Sequence, residues 1–115
     1  MIIIYHNPLW SKSRKSVEIL KEKKMSYIII EYIKKGLTIE ELKKIANKLN
    51  LNPSHFIRKK DKIFKEKKIE SILSDNQKVF KAISKNPKLL ERPIVIWGGK
   101  AIIARPAELL YEFLL

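Results

Sequence analysis

The sequence contains no cysteine among its 115 residues. Disulfides, thiolate metal ligands, iron–sulfur clusters and every mechanism that uses a thiol nucleophile are therefore excluded for this polypeptide. The two histidines alone make a poor ligand set, so we also expect no metal site. The chain lacks any run close to the ~18 apolar residues that a membrane-spanning helix needs, and its N-terminus lacks the features of a signal peptide. We expect a cytoplasmic protein without membrane association.

Acidic residues are few, with 12 Asp and Glu against 25 Lys and Arg and a formal net charge of +13. Such a field attracts polyanions, so a generic nucleic-acid binder is one alternative. However, 21 of the cations are lysine and isoleucine occurs 19 times, a skew typical of an AT-rich genome. We therefore interpret the lysines, including the basic run from Arg58 to Lys68, as solvated surface. A nucleic-acid partner is not expected.

Arginine is rare enough to be informative, because the chain uses lysine for most of its positive charge. A guanidinium offers a planar, bidentate set of donors that an ammonium group cannot reproduce. We therefore interpret four positions as candidates at which such a bidentate group is needed: Arg14, Arg58, Arg92 and Arg105.

The first third of the chain predicts a strand, a helix and a second strand. The β-branched run Ile2–Tyr5 is typical of a buried strand, and a helix is expected to run to about Lys24, with Ser11 or Ser13 as its cap. Residues 26–32 predict a second buried strand. Two buried strands joined through a helix are expected to be parallel, with a right-handed crossover.

The middle of the chain is predicted to be helical. Thr38 and Glu41 form a capping box ahead of a helix whose apolar positions share one face. Short helical pieces are expected over residues 54–68. A further helix should begin near Ser74, with Gln77 completing a second capping box, and should end at 86–87. The expected core positions of these two helices are Leu42, Ile45, Ala46, Leu49, Val79, Phe80 and Ile83.

The C-terminal part predicts a hairpin and a last helix. Two short apolar runs, 93–97 and 100–104, flank Gly98 and Gly99, which is typical of a two-residue hairpin loop. Pro106 is expected in the first turn of the final helix. The whole order predicts one α/β domain over residues 1–115, with a mixed four-stranded sheet. That is the layout of a thioredoxin-like fold with a helical insertion.

The run HNPLWSKSR resembles the active-site loop of the ArsC family of glutaredoxin-dependent arsenate reductases and their Spx and YffB relatives. The family's usual run is HNPxCSKSR, so Trp10 stands where the family has its nucleophilic cysteine. The resemblance continues through EYIKKGLTIEELKKIANKLNLNPSHFIRKK, ERPIVI and KAIIARPAELL, and so covers nearly the whole chain. The matching loop residues are His6, Asn7, Pro8, Ser11, Lys12, Ser13 and Arg14.

The resemblance implies a role for several residues outside the loop. Arg58, Arg92 and Arg105 match the three arginines that hold the oxyanion in this family, and Pro93 matches its cis-proline position. The family's reaction uses glutathione and glutaredoxin as co-reactants, and no bound cofactor is implied. Helix N-termini and bidentate arginines suit a tetrahedral oxyanion on physical grounds as well.

Trp10 changes what the resemblance implies about activity. An indole is neutral and non-nucleophilic and has a single donor, so we expect thiol-based arsenate reduction to be lost. Ser11 and Ser13 are weak nucleophiles without a positioned third group, and His6 is expected to orient the loop. Trp10 is interpreted either as a residue that stacks on a ligand or partner, or as a plug over a disused pocket.

The sequence leaves several functions open. Our hypothesis is a non-thiol member of the family that retains a basic pocket for a small oxyanion or a protein partner. One alternative is a genuine oxidoreductase of the family that uses an external thiol. Another is a regulatory module that binds protein, as the Spx relatives bind RNA polymerase.

Overall fold

The computed structural model describes the backbone of residues 1–115 and every side chain except that of Lys12. Two compact units are present, and each is described by itself. The sheet unit comprises Met1–Lys35 and Arg92–Leu115, and the helical unit comprises Gly36–Glu91. In chain order the regular elements are β1 (Ile2–Tyr5), α1 (Ser11–Glu22), β2 (Tyr27–Ile30), α2 (Tyr32–Lys35), α3 (Ile39–Leu49), α4 (Lys62–Glu66), α5 (Asn76–Lys85), β3 (Ile94–Trp97), β4 (Lys100–Ile103) and α6 (Leu109–Phe113).

The sheet unit is built on a mixed four-stranded sheet in the order β2-β1-β3-β4. β1 pairs in parallel with β2 and antiparallel with β3, and β3 pairs antiparallel with β4. This confirms the predicted α/β fold and the thioredoxin-like sheet. β1 lies inside the sheet, and its β-branched side chains pack in the core. The buried core of this unit consists of Ile2, Ile4, Ile19, Leu20, Val95, Ala104, Ala107 and Leu110.

The second strand is not the buried strand that the sequence predicts. β2 lies at one edge of the sheet, and Ile28 and Ile29 are 49% and 41% exposed. A short apolar run indicates a strand, but the same run occurs in interior strands and at sheet edges. The parallel pairing of β1 with β2, by contrast, agrees with the prediction.

The last helix begins later than the sequence predicts. Pro106 is not in its first turn, since α6 begins at Leu109. The amides of Leu109, Leu110 and Tyr111 donate to carbonyls three residues earlier, at Pro106, Ala107 and Glu108. These are tight turns of the 3-10 kind at the start of α6, and at its end Leu114 donates to Leu110 with the four-residue spacing of an α-helix. The predicted hairpin at Gly98 and Gly99 is confirmed.

The helical unit packs α3 and α5 around a core of its own. α3 begins with the predicted capping box, in which the Thr38 hydroxyl accepts from the Glu41 amide while Glu41 Oε1 accepts from the Thr38 amide. α5 is capped by Asp75 instead of the predicted Ser74, because the Asp75 carboxylate lies at the spacing that reaches the Lys78 amide. The buried side chains of this unit include Leu42, Ile45, Phe56, Phe64, Ile69, Val79, Phe80, Ile83, Leu89 and Leu90.

None of the helices among the described residues combines the length and the apolar content needed to cross a bilayer.

Candidate functional site

The loop between β1 and α1 forms hydrogen bonds within itself and with the neighbouring strand. The His6 amide continues the sheet by donating to the Ile30 carbonyl at 2.9 Å. The Asn7 side chain accepts from the Leu9 amide at 3.1 Å, and the Asn7 carbonyl accepts from the Trp10 amide at 3.0 Å. These bonds form a local turn that brings the chain directly into α1.

The entry of α1 differs from the prediction that Ser11 or Ser13 caps it. The N-cap position is Trp10, whose side chain makes no capping hydrogen bond. An indole offers only a donor, so it has no acceptor for the free helix amides. Ser13 is fully buried, and its hydroxyl accepts from the Asn7 amide at 3.4 Å. The first turn of α1 contains no acidic residue, and the side chain of Lys12 lies outside the described part of the chain.

Arg14 has a visible structural contact in the loop. Its Nη1 donates to the Pro8 carbonyl at 3.0 Å, and its amide donates to the Trp10 carbonyl at 3.1 Å. The sequence left this arginine open between anion binding and structural pairing. The observed contact ties the first turns of α1 to the loop that precedes them.

Arg92 and Trp10 are in direct contact although they are far apart in the sequence. The Arg92 Cζ lies 3.2 Å from the centroid of the Trp10 ring, well within the range of a cation–π interaction. Arg92 is only 3% exposed, whereas Trp10 is 42% exposed and Leu9, beside it, is 85% exposed. The structure therefore places the candidate Arg92 against the residue that stands at the cysteine position.

Arg105 lines a surface depression of about 560 Å³ beside the start of α1. Ser11 and Lys15 line the same depression, as do the residues from Arg105 to Glu108. Lys15 Nζ lies 3.9 Å from Glu108 Oε1, and both side chains are more than half exposed, so this pair contributes little stability. The depression gathers two cations and one carboxylate of the sheet unit next to the α1 N-terminus.

Both Arg–Pro peptide bonds of the sheet unit are cis. One is Arg92–Pro93, the cis-proline candidate, and the other is Arg105–Pro106, which the sequence did not predict. The Arg–Pro dipeptide in ARPAE does not predict the second bond, because the trans form is favoured at most X–Pro bonds. Each cis bond follows one of the two oxyanion candidates of this unit.

Arg58 belongs to the helical unit and makes polar contacts there. Its Nη1 lies 3.1 Å from Asp61 Oδ2 and 3.3 Å from the Lys88 carbonyl. Its own amide donates to the Leu89 carbonyl at 2.6 Å. This is the structural ion pair that the sequence left as the alternative, and an oxyanion role for Arg58 stays a prediction.

His6 is a buried imidazole at the end of β1. It is 6% exposed, and its Nδ1 has no hydrogen-bond partner among the described residues. Burial lowers the pKa of His6 below its ordinary value, Glu31 opposes this shift, and the charge of Arg14 lowers the pKa further. The neutral form of His6 is therefore favoured, and its role in orienting the loop stays a prediction.

Comparisons with known proteins match one family along nearly the whole chain. The ArsC family profile matches residues 5–113. The arsenate reductase of Haemophilus influenzae is 41% identical over 98% of this chain and 98% of its own length. The arsenate reductase of Neisseria meningitidis serogroup A is 40% identical over 93% of this chain and 92% of its own length. The solved arsenate reductase from Vibrio cholerae superimposes with a TM-score of 0.92 at 35% identity, covering 96% of this chain and 95% of that one. The chain belongs to the ArsC family.

Proposed function

We propose that this protein does not reduce arsenate with a thiol of its own and instead binds small oxyanions at the start of α1. The observation that carries the proposal is the Trp10 indole, which stands at the family's cysteine position and lies against the Arg92 guanidinium. The name arsenate reductase belongs to the relatives reported above and is not transferred to this chain.

Thiol-based arsenate reduction is lost because the chain has no thiol. Converting As(V) to As(III) takes two electrons, and in the family a cysteine thiolate attacks arsenic before glutathione and glutaredoxin complete the transfer. The 115 residues contain no sulfur nucleophile, and the indole of Trp10 cannot replace one. The oxyanion can then be bound but cannot be reduced by this chain.

The charges around the loop support the retention of anion binding. The α1 N-terminus has no side-chain cap and no acid in its first turn, which favours a negative ligand there. Arg105 and Lys15 line the neighbouring depression. Arg92 uses the face of its guanidinium against Trp10, and a planar guanidinium binds anions through its edge. The face contact and an edge contact with an oxyanion are therefore compatible.

A second candidate function, binding of a protein partner, is favoured by the exposed apolar tip of the loop. Leu9 is 85% exposed and Trp10 is 42% exposed, and the tip is held by the hydrogen bonds of Asn7 and Arg14. Rigid, exposed tryptophan is enriched in protein interfaces. A regulatory module of the Spx kind would use such a surface.

The oxidoreductase alternative is tested by arsenate turnover with glutathione and glutaredoxin present. We expect no turnover by the native chain, measurable turnover by Trp10→Cys, and none by Trp10→Ser. The serine variant is the matched control, because it removes the indole without adding a thiol. Turnover by the native chain would refute the proposal and favour an enzyme that relies on an external thiol.

Anion binding is tested by the fluorescence of Trp10 in a Trp97→Phe background, titrated with arsenate, phosphate or sulfate. We expect a saturable change at millimolar anion that is lost in Arg105→Ala. Lys78→Gln, in the helical unit, is the control for a general loss of positive charge. An unchanged signal at millimolar anion would refute the anion site and leave the protein-binding candidate.

A further inference from the structure

The helical unit carries a depression whose lining is unusually rich in amides. Its volume is about 710 Å³, within the range of small-ligand sites, which run from about 300 to 1,000 Å³. It lies between the second half of α3, the segment 50–55 and the first turns of α5. Four of the six asparagines of the chain line it: Asn47, Asn50, Asn52 and Asn76.

Local structure explains only part of this amide cluster. Asn50 ends α3 in the left-handed conformation, with φ of 58°, and Asn52 precedes a 3-10 turn. Asn47 and Asn76 have no such backbone role. Asn76 Nδ2 donates to Asn52 Oδ1 at 3.4 Å, a long bond that leaves most of the donors and acceptors of the four exposed amides available.

The charged side chains that line the depression are all cationic. Lys43 and Lys44 line it together with His55, and no acidic residue does. Neither lysine forms an ion pair within the part of the chain that the structure describes. Lys43 stands one helical turn before Asn47, so the two side chains share a face of α3. The depression therefore favours a ligand that carries carboxylates or another anionic group.

The apolar floor distinguishes between two classes of anionic ligand. Pro53 and Phe80 are buried, and Phe80 is only 7% exposed, so no open aromatic face is available for a nucleotide base to stack on. Leu51 is 38% exposed and can contact an aliphatic side chain. A peptide group has one donor and one acceptor, which an asparagine amide complements in both respects.

We propose that this amide-rich depression binds a short acidic peptide segment of a partner protein. Lys43 and Lys44 pair with its carboxylates, Asn47 and Asn76 pair with its peptide groups, and an aliphatic side chain rests on Leu51. The inference concerns the helical unit alone and is independent of the function proposed for the α1 loop. Either one can fail without the other.

The test is a titration of the full chain, labelled with ¹⁵N, with the peptide acetyl-Asp-Asp-Leu-Asp-Leu bearing a free carboxylate. We expect saturable shifts at the side-chain amides of Asn47 and Asn76 and at the backbone amides of the second half of α3. The uncharged peptide acetyl-Asn-Asn-Leu-Asn-Leu-amide should bind about tenfold more weakly, because the charge-assisted bonds are lost.

Two double variants of equal net charge separate the site from the general basic field. Lys43→Gln/Lys44→Gln should weaken binding about tenfold, and Lys78→Gln/Lys81→Gln, on α5, should change it less than about twofold. Both pairs are exposed, and the control spectrum reports the fold of each variant. An absence of saturable shifts, or equal weakening by the two variants, would overturn the proposal. Stronger shifts of the same amides with AMP than with the peptide would overturn it in favour of a nucleotide site.

Discussion

The α1 and α3 helices begin in opposite ways. α3 begins with a complete capping box between Thr38 and Glu41, and two glutamates lie in its first turn. α1 begins after Trp10 with no side-chain cap and no acid in its first turn. Its entry is instead fixed by contacts with the loop and with Arg92. The start of α3 follows the local sequence rules for a helix N-terminus, as expected of a helix with a structural role. The start of α1 departs from those rules, and α1 is the helix at the candidate site.

The largest effect is expected when Arg92 is replaced, because this residue contacts the start of α1 from a distant part of the sequence. Arg92→Ala should lower the free energy of unfolding by about 2 kcal/mol, because the cation–π contact and the packing of a nearly buried side chain are lost. The measurement is urea unfolding followed by circular dichroism, with a shift in Trp10 emission in a Trp97→Phe background as the local readout. Arg92→Lys is the control that keeps the charge but loses the planar stack. Unchanged or greater stability in Arg92→Ala would show that the buried guanidinium is a net cost.

The corresponding change at α3 removes its local support. Thr38→Ala should lower the free energy of unfolding by about 1 kcal/mol, since the Glu41 amide loses its hydroxyl acceptor. Thr38→Ser keeps the acceptor and should stay within a few tenths of a kcal/mol of the native chain. Urea unfolding measures both variants. If Thr38→Ala proved neutral, water would be replacing the cap, and the contrast between the two helices would be smaller than the structure indicates.

The same contrast explains what the sequence could predict. The capping box of α3 was predicted to the residue because all its atoms come from four consecutive residues. The cap of α5 was misplaced by one residue, since Ser74 and Asp75 are both good acceptors and only the geometry selects Asp75. The α1 cap was predicted wrongly because the general preference of serine for the N-cap position favoured Ser11 or Ser13.

The sequence suggests candidate residues for the site but not the contacts between them. The rarity of arginine identified Arg92 and Arg105, yet the contact between Arg92 and Trp10 depends on the pairing of β1 with β3. The exposure of β2 was missed for a similar reason, because an apolar run does not reveal which strand lies at the edge. The order of the strands in the sheet cannot be predicted from short stretches of sequence.

A smaller effect on stability is expected when an acidic residue is added to the first turn of α1, because the first turn of α3 already has two. Ser11→Glu adds a carboxylate to the first turn of α1 and should raise the free energy of unfolding by about 0.5 kcal/mol at low salt. Glu40→Gln in the first turn of α3 should lower it by a similar amount. Ser11→Glu should also weaken sulfate binding, because the added charge lies beside Arg105 and Lys15. Unimpaired sulfate binding in this variant would place the anion elsewhere.

The mildest test uses pH and the buried imidazole of the loop. The pKa of His6 is lowered from its ordinary value of 6.5, chiefly by burial, so the unfolded chain binds the proton more readily than the folded one. The contribution of neutral His6 to the free energy of unfolding is therefore complete above about pH 6.5. It is lost as the pH falls through the lowered pKa. Between pH 7.5 and 5.5, unfolding free energy should decline more steeply in the native chain than in His6→Gln, and proton NMR of the His6 ring should give the midpoint directly. A His6 midpoint above 6.5 would reverse the sign and would mean that Glu31 outweighs burial. His6 would then be protonated, and the start of α1 would have one additional positive charge available to attract an anion.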